Sequence, residues 1–210
     1  MTPHSRGVFI VVEGIDGGGK STLLRALARA LRRRGLSVAL RREPSDPRLG
    51  ALAQSTATED PWTGAVYFTV DRHLAAPERE RALRRHDVVL QDRSFYSTLA
   101  YQGSALPPGD RRRLAQLQRS AVRTPDRVIL LDLRPSEALR RLGARGSRRG
   151  PLERLRTLER VARAYRTLAR SHGWVVLDAR AAPRELARLA LERLDLPDPR
   201  ARTRTRRRRR

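Results

Sequence analysis

Five short apolar runs divide the chain, and each ends at a polar or charged residue. A continuous apolar run bounded by polar residues is typical of a strand that is buried on both faces of a parallel sheet. The first run, Val8 to Val12, leads through Glu13 into a glycine-rich segment. The predicted strands span residues 8–12, 37–40, 88–90, 128–131 and 174–177.

Between these runs, apolar residues recur at the three- and four-residue spacing of a helix. The predicted helices span residues 21–34, 62–86 with a break at Pro77, 94–103, 110–123, 135–145, 152–171 and 183–194. Pro44, Pro47 and Gly50 predict a loop after the second strand. The alternation of strands and helices predicts an α/β fold with about five parallel strands and helices on both faces.

Composition fits one soluble domain. A chain of 210 residues can bury a sizeable core, and the lack of cysteine excludes disulfides and thiolate metal sites. No apolar run approaches the ~20 residues of a membrane span, and no signal sequence is recognisable, so we expect a cytoplasmic protein without membrane contact. We expect a domain over residues 1–196 and a disordered tail over 197–210, which holds eight arginines.

A phosphate-binding motif follows the first strand. Gly14 to Ser21 reads G-x-x-x-x-G-K-S, and Lys20 is the only lysine among 46 basic residues. In this motif the backbone N–H groups cradle phosphates, the lysine contacts the β- and γ-phosphates, and the serine hydroxyl binds Mg²⁺. The motif predicts a nucleoside triphosphate and Mg²⁺ as ligands. The predicted binding residues are Gly14, Asp16, Gly17, Gly18, Gly19, Lys20, Ser21 and Thr22.

Several further motifs together resemble the thymidylate kinase family of P-loop nucleoside monophosphate kinases. They span residues 8 to about 178, and their order and spacing are more specific than any single piece. The matching segments are Glu13-Gly14-Ile15-Asp16-Gly17-Gly18-Gly19-Lys20-Ser21-Thr22, Arg42-Glu43-Pro44, Phe68-Thr69-Val70-Asp71-Arg72, Asp92-Arg93, Ala100-Tyr101-Gln102-Gly103 and Pro125-Asp126-Arg127. The resemblance implies a P-loop NTPase three-layer fold and transfer of the γ-phosphoryl group of ATP to dTMP.

The resemblance also assigns roles around the acceptor. Arg42 and Arg93, which follow predicted strands, would hold the monophosphate, as expected at the carboxyl ends of parallel strands. Asp92 would contribute to catalysis and to Mg²⁺ binding together with Ser21. Asp16 would accept a hydrogen bond from the 3′-hydroxyl. The remaining substrate residues would be Pro44 in the R-E-P motif, Phe68 stacked on thymine, Arg72 at the base edge, Thr98 facing the base and Tyr101 under the sugar.

A short lid is predicted over residues 145–151. Arg145, Arg148 and Arg149 lie there beside Gly146 and Gly150, which could serve as hinges. In the family, catalytic arginine comes from the phosphate loop or from the lid, and the loop of this chain has none. The resemblance therefore implies Arg148 and Arg149 as catalytic residues, together with Lys20 and Arg93, and implies a homodimer.

Two alternatives remain open from the sequence. The thymidylate kinase family usually has an aromatic residue or histidine in place of Ser94. Asp92-Arg93-Ser94 also resembles the D-R-S motif of deoxynucleoside kinases, which phosphorylate nucleosides. A nucleic-acid-binding protein with a vestigial nucleotide site is compatible with the net charge of +24. No nucleic-acid-binding motif supports a specific nucleic acid partner, although the basic tail could bind one non-specifically.

Overall fold

A sheet of five parallel strands forms the centre of the molecule. The computed structural model describes residues 7–121, 123–144, 154–194 and 196. The strands are β1 (Val8–Glu13), β2 (Val38–Arg42), β3 (Val88–Asp92), β4 (Arg127–Asp132) and β5 (Val175–Asp178), in the order β2-β3-β1-β4-β5. Their neighbouring pairs are all parallel, so all five carboxyl ends meet at one edge of the sheet.

Helices connect the strands. In chain order they are α1 (Lys20–Arg33), α2 (Pro47–Thr56), α3 (Pro61–Leu74), α4 (Ala76–Arg85), α5 (Phe95–Tyr101), α6 (Pro108–Ala121), α7 (Pro135–Gly143), α8 (Leu155–His172) and α9 (Pro183–Arg193), with a 3₁₀ turn at Gly103–Ala105. Within the described residues, no helix is both long and apolar enough to cross a membrane.

Alternate side chains along β1 are buried in two different hydrophobic clusters. Ile10 and Val12 belong to the large cluster that includes α1, α8 and α9, whereas Phe9 and Val11 pack with Leu83 of α4. Successive side chains of a strand point to opposite faces, so helices cover the sheet on both sides. The structure thus confirms the predicted fold class of a P-loop α/β domain built on five parallel strands.

The predicted loop after β2 was wrong beyond Asp46, where helix α2 begins. The Asp46 carboxylate caps this helix by accepting hydrogen bonds from the N–H groups of Arg48 at 2.7 Å and Leu49 at 3.3 Å. Pro47 occupies the first turn, where its missing N–H leaves no helical bond unmade. Gly50 is needed because α2 packs closely on the preceding loop, and a Cβ there would lie 2.5 Å from Pro44 Cγ. Proline and glycine therefore mark a capped helix and not a loop.

The break in the long predicted helix is real but lies earlier than expected. Helix α3 ends at Leu74 and α4 starts at Ala76, so the chain turns at Ala75 and not at Pro77. Pro77 lies in the first turn of α4, where proline is tolerated because the first N–H groups of a helix have no intrahelical acceptor.

Candidate active site

The glycine-rich loop between β1 and α1 wraps the N-terminus of α1. Gly14, Gly17 and Gly19 have positive φ angles of 146°, 81° and 89°. Gly17 is also required by packing, because a Cβ there would lie 2.6 Å from the carbonyl oxygen of Ala138 in α7. Helix α1 begins at Lys20, so its first N–H groups face the loop. This geometry is suited to binding a phosphate.

Lys20 is held inside the loop and is only 7% exposed. Its Nζ donates to the carbonyl oxygens of Gly14 and Ile15, each at 3.0 Å, and lies 3.8 Å from Asp16 Oδ1. Burial and the nearby charge of Arg93 lower the pKa of Lys20, and the Asp16 carboxylate opposes this shift. The ammonium is therefore prepositioned where phosphate oxygens would enter the loop.

Ser21 and Asp92 form a pair of oxygen groups beside the loop. Ser21 Oγ donates to Asp92 Oδ2 at 2.8 Å, and Asp92 ends β3. The other carboxylate oxygen, Asp92 Oδ1, is buried and has no hydrogen-bond partner among the described residues. A buried carboxylate oxygen without a donor is costly unless a cation occupies the site. Mg²⁺ prefers such hard oxygen ligands, and commonly uses one or two protein groups with phosphates and water, so these residues fit the ion.

Asp16, Arg93 and Tyr101 form a second polar group across the loop. Arg93 Nη2 donates to Asp16 Oδ1, and Arg93 Nη1 donates to Ser97 Oγ at 3.1 Å. The Tyr101 hydroxyl donates to Asp16 Oδ2 at 3.0 Å, and its ring lies 5.1 Å from the Arg93 guanidinium carbon. Both terminal nitrogens of Arg93 therefore have protein partners, and Tyr101 positions the Asp16 carboxylate.

The Asp16 carboxyl is strongly acidic in this setting. Burial raises its pKa, but the neighbouring charges of Arg93 and Lys20 more than offset this, so the pKa of Asp16 lies well below its usual range. Burial likewise disfavours charge on Arg93, yet Asp16 raises the pKa of that guanidinium. Asp16 thus stays ionised next to two cations and can act only as a hydrogen-bond acceptor.

Backbone strain helps to aim Arg93. Its φ of 70° lies in the left-handed region, which side-chain-bearing residues rarely adopt. The N–H of Arg93 donates to the Val12 carbonyl at 3.0 Å, and its own carbonyl accepts from Gln91 Nε2 at 2.9 Å. The first bond ties Arg93 to β1 and the second to β3, the strand that it directly follows, and together they hold the residue in this conformation.

Arg72 is 2% exposed, and each of its nitrogens has a partner. Arg72 Nε donates to Glu43 Oε2 at 2.8 Å, Nη1 to Gln118 Oε1 at 2.8 Å and Nη2 to Thr98 Oγ1 at 3.2 Å. Burial raises the pKa of Glu43, and the charge of Arg72 opposes this. Gln91 Nε2 donates to the second Glu43 oxygen at 2.8 Å. The predicted base-edge residues Arg72 and Thr98 therefore lie together in a satisfied polar cluster.

The other predicted acceptor residues lie around this cluster. Phe68 is one turn before Arg72 on α3 and is only partly buried, which leaves ring surface accessible. Arg42 ends β2 and is exposed. Pro44 lies in the segment between β2 and α2 and packs against Gly50. The Asp71 carboxylate ties this segment to α3 by accepting from the backbone N–H of Ser45 at 2.9 Å.

Ser94, the departure from the family pattern, has a clear structural role. Its hydroxyl caps α5 by accepting from Tyr96 N–H at 3.2 Å, and donates to the fully buried Glu13 carboxylate at 2.7 Å. Ser97 Oγ and the Tyr165 hydroxyl also bond Glu13, at 2.6 Å and 2.9 Å. Burial raises the pKa of Glu13, while these donors lower it. The Glu13 cluster joins β1, α5 and α8 directly behind the Arg93 side chain.

One cavity connects the phosphate loop with Arg42 and Arg93, the arginines predicted to hold the acceptor. Its volume is about 590 Å³. Its charged lining residues are the cations Lys20, Arg25, Arg42 and Arg93 and the carboxylates Asp16, Glu43 and Asp92. Groups predicted for the donor and for the acceptor thus border the same space.

Sequence reasoning missed some contributors and predicted others that the structure does not describe. Gln118 on α6 and Tyr165 on α8 bond site residues, yet no local motif marks them. The predicted lid arginines Arg145, Arg148 and Arg149 and the basic tail 197–210 lie outside the described residues.

Comparison with known proteins agrees with this geometry. The thymidylate kinase family model matches residues 12–189. A probable thymidylate kinase of Pyrobaculum calidifontis is 38% identical over 187 residues, which cover 86% of this chain and 92% of that protein. One from Sulfurisphaera tokodaii is 34% identical, with 85% and 90% covered, and the thymidylate kinase of Xanthomonas euvesicatoria is 40% identical, with 77% and 72% covered. The chain therefore belongs to the thymidylate kinase family.

Proposed function

We propose that this protein transfers the γ-phosphoryl group of ATP to dTMP and releases dTDP and ADP. The main observation in support is that one cavity is bordered both by Lys20 and Ser21 of the phosphate loop and by Arg42 and Arg93 at the strand ends. Phosphoryl transfer needs donor and acceptor phosphates in line and close together. A shared cavity of this charge is suited to that requirement.

The acceptor end has the chemistry of a pyrimidine nucleotide site. The partly buried Phe68 would provide a ring for stacking. The Arg72 guanidinium is held by Glu43, Gln118 and Thr98, and would use its remaining N–H groups for a base oxygen. Tyr101 is 6% exposed and fixed by Asp16, so it is a rigid wall beside the sugar. Asp16 would accept a hydrogen bond from the 3′-hydroxyl of the acceptor, because a carboxylate attracts a hydroxyl donor and repels a second anion.

Magnesium completes the donor site in this proposal. Ser21 and Asp92 would bind it, which would give the orphaned Asp92 Oδ1 a partner. When bound, Mg²⁺ neutralises charge on the triphosphate. The two protein oxygens leave room for phosphate oxygens and water in the coordination shell.

The residues of this chain supply positioning and charge, and no general base is required. An acceptor phosphate oxygen is already an anion at neutral pH, so no proton has to be removed before attack. Lys20 would stabilise the charge that develops on the transferring group, and Arg42 and Arg93 would aim the acceptor. Arg148 and Arg149, by analogy with a family lid, would close over the donor.

Neither alternative from the sequence is favoured by the comparisons. The family match and the curated relatives are thymidylate kinases. Ser94, which prompted the nucleoside kinase alternative, is explained by its bonds to Glu13 and Tyr96 N–H. A cytoplasmic location, a homodimer and non-specific binding of nucleic acid by the tail stay predictions from the sequence.

Replacing Lys20 tests the proposed reaction. We predict that Lys20→Ala lowers kcat for Mg²⁺-dependent dTMP phosphorylation by about 100-fold or more, because the transferring group loses its ammonium. Arg29→Ala is the control, since Arg29 lies exposed on the same helix away from the loop. Circular dichroism and thermal unfolding should show that both variants fold. A folded Lys20→Ala variant with a near-normal rate would contradict the proposal.

A further inference from the structure

The cavity contains more positive charge than the predicted roles use. Two of its four cations are committed to the protein, since Lys20 bonds two loop carbonyls and lies near Asp16, and Arg93 bonds Asp16 and Ser97. The other two, Arg25 and Arg42, are exposed and form no ion pair with any described residue. Arg42 has a predicted role at the acceptor phosphate, whereas Arg25 has none.

Helix geometry places Arg25 on the Arg42 side of the cavity. Ser21 and Arg25 are four residues apart and share a face of α1. Ser21 bonds Asp92, and Asp92 lies opposite Arg42 in the register of β2 and β3. This face of α1 therefore points to the strand ends where the acceptor phosphate is expected.

The Arg25 side chain also extends toward the phosphate loop. Long side chains on a helix lean back toward its N-terminus. Accordingly, Arg25 Nη2 lies 3.4 Å from Thr22 Oγ1, one turn closer to the loop. The guanidinium thus lies over the first turn of α1, beside the opening of the cavity.

We propose that Arg25 is a further substrate-binding residue, which together with Arg42 contacts the monophosphate of the acceptor. This inference rests on the proposed kinase function. A monophosphate carries nearly two negative charges at neutral pH and has three acceptor oxygens, so two guanidinium forks match it in charge and geometry. Arg93, whose terminal nitrogens also bond Asp16 and Ser97, would face the same monophosphate from the inner side of the cavity.

Steady-state kinetics with Arg25→Ala test this assignment. We predict that KM for dTMP rises about 10- to 100-fold, the range for a lost hydrogen bond to a charged group. KM for ATP should change less than KM for dTMP, because Arg25 contacts the predicted ATP site through the bond to Thr22 Oγ1, which at 3.4 Å is long for a hydrogen bond. Arg25→Lys keeps the charge but loses the fork, so its KM for dTMP should lie in between. Arg29→Ala, one turn further along α1, should behave like the wild type.

Equilibrium binding separates a phosphate contact from a general defect. Calorimetry should show that Arg25→Ala weakens dTMP binding while thymidine, which lacks the phosphate, binds as it does to the wild type. Unchanged dTMP affinity, equal loss for thymidine, or a defect confined to ATP would each overturn the role of Arg25. If the wild type phosphorylates dTMP and Arg25→Ala does so equally well, only this inference fails. If the wild type neither binds nor phosphorylates dTMP, the proposed function fails with it.

Discussion

At the scale of single residues, the contact between Asp16 and Arg93 links the phosphate loop to the carboxyl end of β3. Arg93 adopts a left-handed backbone conformation there, and Asp16 gains the second bond from Tyr101. A strained residue persists only where its surroundings hold it. The strain therefore indicates that the direction of the Arg93 side chain is itself important for the site.

The charge of Asp16 predicts a pH dependence of stability. Its pKa is lowered in the folded state relative to the ordinary value of 3.8. The stabilisation is therefore complete above the unfolded pKa and is lost as the pH falls toward the folded one. We predict that Asp16→Asn lowers the thermal unfolding midpoint at pH 7, and that its difference from the wild type shrinks below about pH 4. Calorimetry across pH 3 to 7 would measure it, and a difference that widened on acidification would contradict the account.

Motifs singled out residues that lie together in the structure, but not the more distant residues that hold them in place. The loop, Arg42, Arg72, Arg93 and Thr98 were singled out from short segments, and the structure brings them around one cavity and one polar cluster. Gln118 and Tyr165 could not be found this way, because they contact Arg72 and Glu13 across 46 and 152 residues of sequence. Such contacts follow from the packing of α6 and α8, which no local pattern encodes.

At the scale of elements, the buried strands were the most predictable part. Parallel strands covered on both faces are continuous apolar runs, and all five predicted runs are strands. Helix α2 was missed because Pro47 and Gly50 were interpreted as loop residues. The signal that could have found it was Asp46 directly before Pro47, a cap followed by a proline at the first helical position.

The Asp46 cap is expected to stabilise helix α2, and replacing Asp46 tests this. Asp46→Ala should lower the free energy of unfolding by about 1 kcal/mol, because two N–H groups at the start of α2 lose their acceptor. Asp46→Asn keeps a capping oxygen and should cost less. Urea denaturation would measure both variants. Equal stability of Asp46→Ala and the wild type would mean that tertiary packing, and not the cap, holds the helix.

At the scale of the whole molecule, α3 has buried residues predicted to face the acceptor on one side and an exposed apolar surface on the other. Its inner residues Asp71 and Arg72 are buried, whereas Val66, Val70 and Leu74 are 45%, 42% and 65% exposed and lie four residues apart. An exposed apolar stripe on a helix is typical of a protein interface. It is consistent with the homodimer predicted from the family resemblance.

A charge in this stripe tests the dimer. Val70→Glu should shift the protein to a monomer, because association would bury an unpaired carboxylate at a cost of several kcal/mol. Light scattering after size-exclusion chromatography at micromolar concentration would detect the change. Val176→Glu is the control, since Val176 is 43% exposed on β5, away from α3. A monomeric wild type, or a Val70→Glu dimer, would contradict this interface.

The most direct test of the central claim is ADP release from Mg·ATP by the purified protein with dTMP, dUMP, thymidine or no acceptor. The account predicts turnover of roughly 1 to 100 per second with dTMP, slower turnover with dUMP and background rates with thymidine or no acceptor. Faster turnover with thymidine than with dTMP, or no turnover with any acceptor by a protein that still binds ATP, would contradict the claim that Arg42, Arg72 and Arg93 form a dTMP site.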